Sequence, residues 1–199
     1  MAKIKLTKNE LKRQKDELKR FQRYLPTLIL KKQLLHMEIR QVEIKIEGKH
    51  LEQDELRTGI AAWVHVFGEG IDLTELVKVK DVGLSSVNIA GVEVPVFLGV
   101  TYESIPYDLM LYPLWVDAGI KQLQDILSID IEVSILETQA TLLAAELRIT
   151  TQRVNLFEKV KIPQARENIR NINIFLGDQQ TAAVVRGKMS KSKLVRGTT

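Results

Sequence analysis

From Leu11 an apolar residue returns alternately every three and four positions for nearly forty residues. With position a at Leu11, Leu18, Leu25, Lys32, Ile39 and Ile46, position d reads Gln14, Phe21, Leu28, Leu35, Val42 and Lys49, and nine of these twelve sites are apolar. A 3.5-residue period held over five heptads outlasts an ordinary globular helix and favours a coiled coil. The polar exceptions Gln14, Lys32 and Lys49 can set register at some cost in stability. Outside the seam the text is charged: Lys12, Arg13, Lys15, Asp16, Lys19, Arg20 and Arg23. Pro26 opposes a continuous helix, because it removes the bond to the Gln22 carbonyl and costs about 3 kcal/mol. It predicts a kink or a break there.

A second long helix is expected from the region Pro113 to Asp117, with Pro113 suited to a first-turn position. Its stripe is Leu136, Ala140, Leu143, Leu147, Val154 and Phe157, interrupted by Thr150. Near Pro163 the phase moves, and Ile162, Ala165, Ile169, Ile172 and Leu176 follow. Pro163 implies a bend or local loosening. The helix is expected to end near Leu176, where Gly177 weakens it, for a length of about 60 residues and 90 Å.

Neither seam can stay in water. The simplest solution pairs the two helices antiparallel within one chain, each fully buried Leu or Ile contributing roughly 1.5–3 kcal/mol. The predicted seam is Leu11, Leu18, Phe21, Leu28, Leu35, Ile39 and Val42 against Leu143, Leu147, Val154, Phe157, Ile169 and Ile172. Such pairing gathers both termini. Residues 1–32 hold eleven Lys/Arg against three Asp/Glu, residues 159–199 nine against two, and the middle nine against twenty. The gathered ends would form a basic tip, and charge asymmetry of this kind points to an acidic protein or nucleic acid as partner.

Between the helices, Val, Gly and Thr rise and helical spacing vanishes. Ser86 to Phe97 reads as a hairpin turning at Ala90-Gly91. Pro95 restricts its second strand to a sheet edge. Val100-Thr101-Tyr102 reads as a short third strand, and Glu69-Gly70 and Val82-Gly83 as turns. Residues 71–80 fit a strand or a short helix equally well. The predicted organisation is mainly α: an N-terminal coiled-coil helix over 1–62, a small β-containing insertion over 63–112, a C-terminal coiled-coil helix over 113–178 and a basic tail over 179–199.

Sites for chemistry are sparse. The chain has no cysteine, so thiolate metal sites, disulfides and cysteine nucleophiles are excluded. No secretory h-region opens the sequence, and no apolar run approaches the roughly 18–20 residues of a membrane span, so a soluble, intracellular chain is expected. Gly187 to Lys193 contains KMSKS, a signature of class I aminoacyl-tRNA synthetases. No HIGH motif accompanies it, since His36, His50 and His65 lie in other contexts, and no strand–glycine–helix phosphate loop is present. It reads as a basic tail. Glu52, Asp54 and Glu55 beside His50 read as a solvated helix end rather than a metal site. His65 beside Trp63 reads as a packed aromatic pair, and Ser85-Ser86 as loop. No catalytic residue, metal or cofactor is expected.

Three stretches carry a resemblance. Thr151 to Glu158 (TQRVNLFE), then Ile162-Pro163, then Ile169-Arg170-Asn171-Ile172 is similar to the R-V-N-A-L-E, I-P and I-x-x-I text of the D subunits of V-type ATPases. Val87 to Pro95 resembles that family's V-x-N-x-x-G-V-x-V-P hairpin, and Leu28 to Gln33 its L-L-K-x-K helix. Pro26 departs from the family's unbroken helix, and Gln179, Gln180, Val184 and Val185 stand where acidic and aromatic residues are usual. The resemblance implies a central rotor shaft without a nucleotide site of its own. Its implied partners are a hexamer of A and B subunits, the F subunit, and the C subunit that links to the membrane ring. The basic positions Lys12, Arg13, Lys19, Arg20, Arg23 and Arg186 are then expected to face the hexamer. Without the resemblance, a prefoldin-like chaperone or a basic nucleic-acid-binding coiled coil would fit the same plan.

Overall fold

The computed structural model describes residues 4–61, 76–107, 112–113 and 115–197. In chain order it holds helix α1 (Lys8–Ala61), strands β1 (Val77–Ile89) and β2 (Val92–Ser104), helix α2 (Val116–Asn155), a π-helical segment (Leu156–Lys161) and helix α3 (Ile162–Gly197). These residues fall into two compact units, residues 1–31 with 150–199, and residues 32–149.

Helix α1 begins at a side-chain cap. The Thr7 hydroxyl accepts the Glu10 N–H at 3.3 Å and the Thr7 carbonyl accepts the Leu11 N–H at 3.0 Å, satisfying donors that a helix start leaves free. The helix passes through Pro26 without a break. Gln22, whose carbonyl loses its helical donor to the proline, is solvent-exposed, so water can offset part of the loss.

Pro163 is accommodated differently. The chain widens into the π-helical segment just before it, the Ile162 N–H donating to the Phe157 carbonyl five residues back. An α-helix then restarts, and Pro163 falls in its first turn, where a missing donor costs least. Helix α3 also runs past the expected end near Leu176 and continues to Gly197. A single glycine costs a helix only about 1 kcal/mol relative to alanine, and Gly177 does not stop it.

The unit of residues 32–149 adds the hairpin to the helix pair. Leu35 and Val42 of α1 bury against Leu136 and Leu143 of α2, and Val94 of the hairpin completes the cluster, with Ile39, Ile46, Ile89, Ala90, Val92, Ala140 and Leu147 packed around it. The turn end of the hairpin therefore lies on the helix seam. At Ala90 and Gly91 φ is +52° and +83°, the pair of positive values that a two-residue type I′ hairpin turn requires. The Asn88 side chain accepts the Gly91 N–H at 2.9 Å.

Strands β1 and β2 pair antiparallel from Ile89↔Val92 to Val77↔Ser104. Val100, Thr101 and Tyr102 extend β2 instead of forming a third strand, and Val82-Gly83 lies inside β1 instead of turning. The register shifts leave Lys80 and Leu98 unpaired, as bulges do. Glycine at a bulge mimics a turn in sequence. A second cluster buries Leu76 and Val116 among Tyr107, Tyr112, Trp115, Ile120 and Leu123. Trp63, His65 and the expected turn at Glu69-Gly70 lie outside the described residues.

Candidate functional site: the helix seam and the basic positions

Of the twelve a and d positions of α1 from Leu11 to Lys49, Leu35 and Val42 are buried and the other ten are half-buried. On the opposing strand of the pair, Leu143, Val154 and Ile172 are buried, and Leu147, Phe157 and Ile169 are half-buried. Sequence reasoning treats Thr150 as an interruption, yet it is as buried as the apolar sites around it.

Specific contacts fix the direction of pairing within each unit. In the unit that includes residues 1–31, the Phe21 and Phe157 rings lie 5.2 Å apart, and the Asn168 amide donates to the Gln14 side-chain oxygen at 3.2 Å. Residue numbers fall on one helix as they rise on the other, so the pair is antiparallel. Gln14 thus works as a register-setting polar residue with a partner. Beside Pro26 the same unit leaves a hollow of about 640 Å³ lined by Leu25, Pro26, Ile29, Ile162 and Arg166.

In the unit of residues 32–149, Lys49 bonds Glu132 of α2 and Glu52 of its own helix, each at 3.0 Å. Gln53 donates to Asp130. These contacts also run antiparallel. The hydrogen bonds that Lys49 donates to Glu52 and then Glu132 hold its ammonium above the usual lysine range. The hairpin is tied to α2 by the Tyr102 hydroxyl, which donates to the Gln124 carbonyl at 2.5 Å, and by the Gln139 amide, which donates to the Pro95 carbonyl. Burial, with the nearby Asp125 charge second, pushes the Tyr102 phenol up.

The chain matches known proteins along nearly its whole length. The family model for the ATP synthase D subunit matches residues 10–192. A V-type ATP synthase D subunit from Borreliella burgdorferi is 56% identical over 196 residues, covering 98% of this chain and 97% of that protein. Another from Chlamydia muridarum is 35% identical over 196 residues, 97% of each chain. The chain belongs to the ATP synthase D-subunit family.

The basic positions singled out from the sequence lie on the surface. Lys12, Arg13, Lys19, Arg20, Arg23 and Arg186 are all exposed. Arg13 bonds Glu17 at 3.2 Å and lies 3.9 Å from Glu10 on its own helix, which occupies part of its charge. The first five share the early turns of α1, whereas Arg186 stands far along α3.

Because Gln14 meets Asn168, the start of α1 at Lys8 lies close to Ile174 of α3. Beyond that level α3 has no helix beside it among the described residues, and residues 177–193 are exposed on every side, with Val184, Val185 and Met189 among them. KMSKS is therefore part of a helix. Among the described residues no group of three or more His, Asp or Glu gathers as a metal-binding set. His50 instead lies 3.4 Å from Gln53, and Glu52 is engaged by Lys49. No described helix is long and apolar enough to cross a membrane.

Proposed function

We propose that this D-family chain is the central rotor shaft of a V-type ATPase. It couples ATP hydrolysis or synthesis in a hexamer of A and B subunits to ion translocation by a membrane ring. The observation that carries the reading, beside family membership, is the bare end of α3. Residues 177–193 are helical, basic and uncovered. An isolated helix of that length is marginal in water, so its exposed Val184, Val185 and Met189 await a covering surface. In this reading the hexamer supplies it, and Lys12, Arg13, Lys19, Arg20, Arg23 and Arg186 contribute the electrostatic part of the contact.

The shaft is a non-catalytic subunit. It binds the F subunit and, through the C subunit, the membrane ring, so it is peripheral to the membrane through its partners. Its mechanism is mechanical. A pair of interlocked helices resists torsion better than one, and its surface differs in each direction. Each orientation therefore favours a different set of nucleotide states in the surrounding subunits, a population shift driven by differential contacts. Affinity isolation of the tagged chain from native membranes tests this. Recovery of the A, B and F subunits in fixed stoichiometry supports it, and recovery of RNA or unfolded clients alone overturns it.

A further inference from the structure

The stripe presented to α1 changes phase by one residue at the π-helical segment. Thr150, Val154 and Phe157 follow the alternating three- and four-residue spacing of a seam. That spacing, continued, falls on Lys161, Gln164, Asn168, Asn171 and Phe175. The residues turned inward are instead Ile162, Ala165, Ile169 and Ile172, each one position later. The Ile162 N–H donates to the Phe157 carbonyl five residues back, so the wide turn holds the one extra residue that separates the two phases. Packing is loose on both sides of the seam at this level. The hollow of about 640 Å³ beside Pro26 borders Glu158, Ile162 and Arg166. A second, of about 230 Å³, borders Lys161, Gln164 and Asn168 across from Gln14 and Glu17. By helical spacing these two sets of residues flank the seam, one on each side.

We infer that the π-helical segment is a register switch, which lets α3 turn about its own axis between two seams. When the wide turn tightens to an α-turn, the extra residue passes into the regular helix. Everything beyond it then rotates by about 100° and advances by about 1.5 Å. Each residue takes the place of the one after it: Lys161 that of Ile162, Gln164 that of Ala165, Asn171 that of Ile172. The hollows on either flank give the turning side chains room, where a close-packed seam would block them. The first register is the resting one. Ile162, Ala165 and Ile172 are buried in it, and Pro163 sits in a first turn instead of a helix interior. The second register has contacts of its own. Lys161 and Glu17 already line one hollow, and Phe175, exposed in the first register, joins the second seam. Because α3 is continuous to Gly197, the turn reaches its bare end, and Val184, Val185 and Met189 change heading together. The inference stands on the helix pair alone, and the shaft reading decides only what the turned end meets.

The chain has no cysteine, so paired cysteines and a short thiol cross-linker report the register in the full chain. Gln14→Cys with Asn168→Cys joins sites already in contact in the first register. Gln14→Cys with Glu167→Cys joins sites that meet only in the second, where Glu167, exposed in the first, takes the place of Asn168. Two backgrounds drive the switch in opposite directions. Gln164→Leu with Asn171→Leu makes the second seam apolar while altering only exposed positions of the first, and it should speed the Glu167 cross-link at least about tenfold. Deletion of Val160 together with Pro163→Ala removes the extra residue and lets a continuous helix carry the apolar seam. It should abolish the Glu167 cross-link while the Asn168 pair still joins. A Glu167 rate that the leucines leave unchanged overturns the inference, as does one that survives the deletion. A deletion variant whose Asn168 pair no longer joins has lost the seam, and the leucine background then decides alone. Neither failure touches the shaft reading, which stands or falls on the subunits recovered with the chain.

Discussion

The two units use the same antiparallel helix pair and stabilise it differently. In residues 32–149 the seam has a third layer: Val94 and the hairpin turn close over Leu35, Val42, Leu136 and Leu143. In residues 1–31 with 150–199 the helices cover only each other. There α1 buries none of its own residues, while Val154, Ile162, Ala165 and Ile172 are buried opposite. Pro26, Pro163 and the π-helical segment all fall in this second unit. The lesson is that a two-helix seam reaches core-like burial on both sides only where something else covers it. The uncovered unit keeps helical order while leaving more of its apolar surface exposed.

Substitutions can break that contrast. The largest effect is expected from Leu35→Asp, which leaves a carboxylate without a partner in a fully buried site. A loss exceeding about 4 kcal/mol is expected, read by circular dichroism and denaturant unfolding. Unchanged helicity and melting would mean the heptad is misplaced. Next, Leu143→Ala in the covered unit should cost about 2–5 kcal/mol. Phe21→Ala in the uncovered unit should cost only about 2 kcal/mol, because its ring is half-buried although it meets Phe157. Equal losses would erase the distinction between the units.

Gly91→Ala should cost about 1–2 kcal/mol, because φ of +83° disfavours a side chain, and it should loosen the covered unit alone. The smallest effect concerns pH. Lys49 binds its proton more tightly folded than unfolded, so its share of stability is complete below the ordinary lysine value of 10.5. That share is lost as pH rises through the higher folded value. Tyr102 acts in the same direction. Melting temperature should fall as pH rises past the ordinary tyrosine and lysine values of 10.0 and 10.5, and less steeply in Lys49→Met. Identical slopes would remove Lys49 from the account.

Much of this fold is legible because a heptad is a long, redundant signal. The seam from Leu11 to Lys49 and the turn at Ala90-Gly91 can be read from spacing and from glycine. What spacing misses has local causes. Gly83 stands at a bulge yet has the look of a turn, which shortens the hairpin as read. Gly177 is tolerated within a helix whose neighbours continue it. The π-helical segment has no pattern of its own beyond Pro163 and the change of phase beside it. The basic positions are legible as charge, but Arg13's pairing with Glu10 and Glu17 depends on side-chain geometry.

The most direct test of the shaft reading is rotation itself. The chain has no cysteine, so Ser85→Cys on the exposed face of β1 gives a single attachment point for a bead while the catalytic hexamer is fixed to a surface. The account expects the bead to turn in one direction when ATP is supplied. A bead that stays fixed relative to the hexamer while ATP is hydrolysed would contradict it.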